Sequence, residues 1–180
     1  MKKQVFSFLL ALVLVVMMIP LTVSAADTDV AKIGNVSYAS LADAINAATD
    51  GQTVEVLKDC NFAGATISKN ITVKAAEGLT AKPLITTAAS IVPGANTNLT
   101  FEGLAFYSTK NVFSFGDGSD TSTLNLKNCD VESNGYYCVF IDKNGITLNI
   151  EGGKYRSNWG VVICGATMPK TDEERTKITV

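Results

Sequence analysis

The sequence predicts an all-β fold, a right-handed parallel β-helix of about five coils entered through a short N-terminal capping α-helix. Three observations predict it. A unit of about 24 residues recurs, apolar and polar residues alternate inside each unit, and Gly or Asn stands between its two apolar beats.

The recurrence is clearest between Thr123 and Asn134, T-L-N-L-K-N-C-D-V-E-S-N, and between Thr147 and Asn158, T-L-N-I-E-G-G-K-Y-R-S-N. A third copy starts at Asn98, giving offsets of 25 and then 24. Leu99 and Phe101, Leu124 and Leu126, and Leu148 and Ile150 fall on one face, with Thr100, Asn125 and Asn149 on the other. Period-two alternation marks a strand with one buried face. Gly103, Asn128 and Gly152 follow, residue types that tolerate the left-handed backbone of a sharp corner. A second beat comes at Phe106, Val131 and Tyr155.

A third element aligns at the same offsets in Val112–Phe115, Tyr137–Phe140 and Val161–Cys164. This register predicts the columns Phe113–Cys138–Val162 and Phe115–Phe140–Cys164. Upstream, Asn70–Ala75 matches the first strand at an offset of 28, and Gln52–Leu57 is an earlier strand of the same kind; downstream, Lys177–Val180 starts another. In a stack of coils only the inward columns must stay apolar, which is why the charges vary between copies. A leucine-rich repeat would need a fixed L-x-x-L-x-L spacing that is absent. An antiparallel sandwich could use Asp117-Gly118, Asn134-Gly135 and Asn144-Gly145 as hairpin turns, but it does not explain a register kept over three units.

Ahead of the coils, Leu41, Ala44, Ile45 and Ala48 share one helical face, with Ser40 and Asp43 in capping-box positions and Gly51 placed for a left-handed turn. Residues 26–51 therefore read as an N-terminal strand and capping helix, and residues 52–180 as coils that stop before a C-terminal cap. Such a helix suits the end of a solenoid, whose apolar cross-section must be covered.

Residues 1–25 read as a signal peptide: Met1-Lys2-Lys3, the apolar run Leu9–Ile19, then Val23-Ser24-Ala25. Pro20 ends the run short of the ~20 apolar residues a membrane span needs. Without Lys2 and Lys3, the 15 basic residues fall to 13 against 17 acidic ones, a net charge of −4. That balance argues against nucleic acid or an anionic membrane as partner. The expected setting is secreted or cell-surface, as a monomer, with no membrane association after cleavage. Export permits disulfides, yet the spacing of Cys60, Cys129, Cys138 and Cys164 fits no metal pattern, and their alignment with Phe and Val columns favours buried free thiols.

The run I-G-N-V-S-Y-A-S-L-A-D-A-I-N-A-A-T-D-G-Q-T-V-E-V-L-K-D, residues 33–59, resembles the N-terminal cap and first coil of bacterial secreted and surface proteins with the pectin-lyase-like right-handed β-helix fold. Among enzymes, the resemblance implies either clustered Asp residues holding Ca²⁺ with an Arg or Lys base, or grouped Asp residues with a His nearby. The chain contains no histidine. Its coil carboxylates are scattered, Arg156 aligns with Glu132 and Tyr107 as a rung of an outward column, and the expectation is a non-catalytic, adhesin-like or glycan-binding module. Its alternative is the N-terminal part of a polysaccharide lyase or glycoside hydrolase acting on uronate-rich glycans. Candidate sugar-stacking residues are Tyr107, Tyr136, Tyr137 and Trp159, expected at outward or corner positions. Asp117 and Asp120, in the loop Gly116–Asp120, are candidates for Ca²⁺.

Overall fold

The computed structural model describes residues 28–116, 119–164 and 176–180. The predicted signal peptide and Asp117 lie outside the described residues.

The described chain is mostly strand, with one helix, wound as a parallel β-solenoid of about 4 turns rather than about five. At the far end, β15 (Gly160–Cys164) and β16 (Lys177–Thr179) flank residues 165–175, which lie outside the described residues.

Entry is antiparallel. β1 (Ala31–Ile33) and β2 (Val36–Tyr38) form a hairpin, and β1 also pairs antiparallel with β3 (Thr53–Val56). Between them α1 (Leu41–Ala47) starts at Ser40, whose Oγ accepts from the Asp43 backbone N–H and donates to the Asp43 carboxylate. The predicted face is buried at Leu41, Ala44, Ile45 and Ala48, and packs against β1, β2, β3 and β4 (Cys60–Phe62). Extended backbone at Ala48 ends the helix, while the left-handed Gly51 serves the turn into β3 instead of the helix terminus.

From β3 onward every pairing is parallel and the coils share three columns of strands. The first contains β3, β6 (Thr72–Ala75), β9 (Asn98–Glu102), the first halves of β12 (Thr123–Ser133) and β14 (Thr147–Ser157), and β16. Its inward rungs are Val54, Val73, Phe101, Leu126 and Ile150, and beside them Leu99, Leu124 and Leu148; Ile178 of β16 continues that register but is exposed. The second contains β4, β7 (Leu84–Thr87), β10 (Ala105–Ser108) and the second halves of β12 and β14, stacking Cys60, Ile85, Phe106, Val131 and Tyr155 inward. The third starts with the pair β5 (Thr66–Ile67) and β8 (Val92–Pro93) and continues as β11 (Phe113–Phe115), β13 (Tyr137–Ile141) and β15, linked by a bridge from Ile91 to Phe113. Phe101, Phe106 and Phe113, one from each column, meet in the core with ring centroids 5.1 to 5.4 Å apart. Tilted and edge-to-face rings suit the π quadrupoles at that spacing.

The corner between the first two columns is left-handed at all three predicted positions: φ is 68° at Gly103, 49° at Asn128 and 68° at Gly152. The third column corrects the sequence register by one residue. Phe113 pairs with Val139 and Val162, and Phe115 with Ile141 and Cys164, so neither Cys138 nor Phe140 occupies the column expected for it. Phe140 instead stands outward over Ser114, half-buried. Cys138 is a buried free thiol just before the rung, its Sγ 3.3 Å from the Val131 carbonyl oxygen and 3.1 Å from that of Arg156. Cys129 is also buried and free, and Cys60 is free and half-buried.

Candidate functional site

Strand alternation presents two outward features, an aromatic corner between the second and third columns and a charged groove on the outer face of the second. Where the second column turns into the third, the rungs Phe62, Thr87, Ser108, Ser133 and Ser157 stack. Ser133 Oγ donates to the Lys110 carbonyl of the preceding coil at 2.7 Å and accepts from the Tyr136 backbone N–H at 3.1 Å. One coil on, Ser157 Oγ donates to the Tyr136 carbonyl and accepts from the N–H groups of Trp159 and Gly160. Asn158 Nδ2 donates to the backbone and side-chain oxygens of Asn134. The repeated Ser and Asn at these positions therefore fix two successive corners to one another by hydrogen bonds.

Those corners carry Tyr136, Tyr137 and Trp159. Trp159 is 66% exposed and Tyr136 47%, and their ring centroids lie 5.4 Å apart at an interplanar angle of 69°. Tyr137 is half-buried, edge-on to Trp159 at 6.2 Å and stacked on Phe140 at 6.0 Å. The three predicted aromatics thus form one cluster, in which Tyr136 and Tyr137 each stand edge to face with Trp159, the most exposed of the three. Phe140 joins it through the corrected register, an aromatic that sequence reasoning had assigned to the core.

Tyr107 is not part of that cluster. It sits half-buried in β10 on the outer face of the second column, in register with Thr86, Glu132 and Arg156. There it lines a shallow groove of about 380 Å³ with Leu84, Asp130, Glu132, Lys154 and Arg156. Asp130 is engaged, accepting from Lys82 Nζ at 2.7 Å and from the Lys154 backbone N–H at 3.1 Å. Glu132 and Arg156 face each other on adjacent strands without an ion pair among the described residues.

The predicted Ca²⁺ loop is represented by Asp120 alone. Its carboxylate is exposed, 4.0 Å from Lys143 Nζ, while its carbonyl accepts from Asn96 N–H and Thr121 Oγ1. Among the described residues, no three Cys, Asp or Glu side chains converge as a metal-binding group.

One regular polar feature escaped the sequence reading. Asn98, Asn125 and Asn149 are linked from coil to coil, Asn149 Nδ2 donating to Asn125 Oδ1 at 2.8 Å and Asn125 Nδ2 to Asn98 Oδ1 at 2.7 Å. The Asn98 N–H donates to Asn70 Oδ1, and Asn70 donates through its N–H and Nδ2 to Asp50. The signal was present in the repeated Asn of T-L-N, which alternation explains only as outward-facing.

No protein-family model, curated protein or solved structure matches the chain. Among the described residues no helix is long and apolar enough to cross a membrane.

Proposed function

We propose that the chain is a secreted or cell-surface solenoid module that binds glycan without catalysis, as an adhesin-like domain does, through the corner formed by Tyr136, Tyr137 and Trp159. The observation that carries this reading is the exposure of the Trp159 ring on a corner held rigid by Ser157 and Asn158. A large ring kept in water on a pre-organised backbone offers a stacking surface for the C–H face of a sugar, with little ordering cost on binding. The neighbouring amide and hydroxyl groups of Asn134, Asn158 and Tyr136 supply polar contacts of the kind that orient a pyranose.

The test is affinity electrophoresis in native gels cast with xylan, polygalacturonate or a soluble peptidoglycan fraction. The expected result is retardation by at least one polymer, lost in Trp159→Ala and kept in Tyr107→Ala. Unretarded migration in all of them, or equal retardation of Trp159→Ala, overturns the assignment.

A second reading, a pectin-lyase-like enzyme acting on uronate-rich glycans, draws on the resemblance at residues 33–59 and on the groove that gathers Asp130, Glu132, Lys154 and Arg156. The hydrogen bonds that engage Asp130 favour the non-catalytic reading, since an occupied carboxylate is a poor ligand or base. Release of unsaturated product from polygalacturonate with Ca²⁺, abolished by chelation, would establish the enzyme instead.

A further inference from the structure

Two Asn-Gly pairs among the described residues lie in turns, Asn134-Gly135 after β12 and Asn144-Gly145 between β13 and β14. In such a pair no Cβ on the following residue shields its backbone nitrogen, so that nitrogen can attack the Asn side-chain carbonyl carbon. A bond forms between the Gly nitrogen and Cγ, the Cγ–Nδ2 bond breaks, and ammonia leaves. Water then opens the five-membered imide to aspartate or isoaspartate. The reaction needs an amide that is not held and a backbone free to swing the nitrogen onto Cγ.

Exposure alone would select Asn134, which is exposed, over the half-buried Asn144. Hydrogen bonding selects the opposite. The Asn134 N–H donates to the Ser108 carbonyl at 2.8 Å, and its backbone and side-chain oxygens accept from Asn158 Nδ2 at 2.8 and 3.2 Å. Gly135 is pressed against the preceding coil, where a Cβ would stand 1.8 Å from the Thr109 carbonyl oxygen, and the next N–H, of Tyr136, is tied to Ser133. That turn has no room to rotate. Asn144 makes no hydrogen bond among the described residues through side chain or backbone. At Gly145, with φ at 73°, the nearest atom to a Cβ would be Thr121 Cγ2 at 3.9 Å.

We propose that Asn144 is a site of spontaneous modification, converting to aspartate and isoaspartate in the folded protein, and that coil stacking protects Asn134. The Gly145 nitrogen must surrender its proton to solvent base before it attacks, so conversion speeds up as pH rises. The new carboxylate lies beside Lys143, which sits near Asp120, and isoaspartate inserts a main-chain methylene just ahead of the buried Ile146.

The experiment incubates the full chain at mildly alkaline pH and follows it by isoelectric focusing and peptide mass mapping, with a urea-unfolded sample in parallel. The expected result is an acidic shift of one charge that maps to Asn144 and is absent in Asn144→Gln, with Asn134 intact until the chain is unfolded. Conversion of Asn134 as fast as Asn144 in the folded protein overturns the proposal. So does an Asn144 that survives in the folded protein while converting in urea.

Discussion

Leu124 of β12 lies in parallel register with Leu148 of β14, and both side chains are fully buried. The two copies of T-L-N are therefore successive rungs of one column. Replacing Leu124 by Ala should cost about 2–5 kcal/mol, since the rigid rungs on either side cannot collapse onto the cavity. Urea denaturation of Leu124→Ala against the parent measures it, and a loss below the range would mean that the site is not enclosed.

The corner at Asn128 makes a sharper test, because it asks for backbone conformation alone. Its φ of 49° is reached by Gly at no steric cost, whereas a β-branched side chain is penalised by about 1–2 kcal/mol. Asn128→Gly should hold the parent's denaturation midpoint to within a small shift, and Asn128→Val should lower it clearly. Equal behaviour of the two variants would contradict a left-handed corner.

Acid should loosen the entry to the solenoid. Glu55 is held below its ordinary value of 4.5 by the hydrogen bond and charge of Lys32, with Lys74 adding its charge and a weaker hydrogen bond. A carboxylate depressed in the folded state contributes stability above its unfolded pKa and loses it as pH falls through the folded one. The stability gap between the parent and Glu55→Gln should thus stay constant at neutral pH and close as pH drops below about 4.5. Melting temperatures across a pH series check this, and a gap that widens on acidification would refute the pairing.

Thiol chemistry reports on the interior. Burial pushes Cys60, Cys129 and Cys138 up to about 11, with Asp59 adding to the effect at Cys60. Because the thiolate is the reactive form, these three should resist a disulfide reagent at neutral pH until urea unfolds the chain. Rapid labelling of Cys129 or Cys138 in the folded protein would show that they do not line the core.

The parts legible in the sequence were those where one physical demand dominates. Alternation fixed which face of β9, β12 and β14 is buried, and left-handed corners selected Gly103, Asn128 and Gly152. The third column was misread by one residue because Cys138 and Val139 are both buried, which breaks the period of two at the start of β13. Tyr107 was grouped with the corner aromatics because outwardness is visible in a pattern, but the sheet on which a residue faces outward is not. The roles of Ser133 and Ser157 were hidden for a related reason: their hydroxyls bond to backbone groups of a different coil or of the following turn.

In-register parallel stacking is the claim on which the rest depends, and it can be measured by cross-linking. Lys127 of β12 and Glu151 of β14 are exposed partners in the register, and neighbouring strands lie about 4.8 Å apart, a Cα separation that a disulfide spans. Under mild oxidation, Lys127→Cys combined with Glu151→Cys should form an intramolecular bridge, identified by peptide mapping, while Lys127→Cys combined with Arg156→Cys should not. A folded protein that leaves the first pair open, or closes the second, would contradict the coil register.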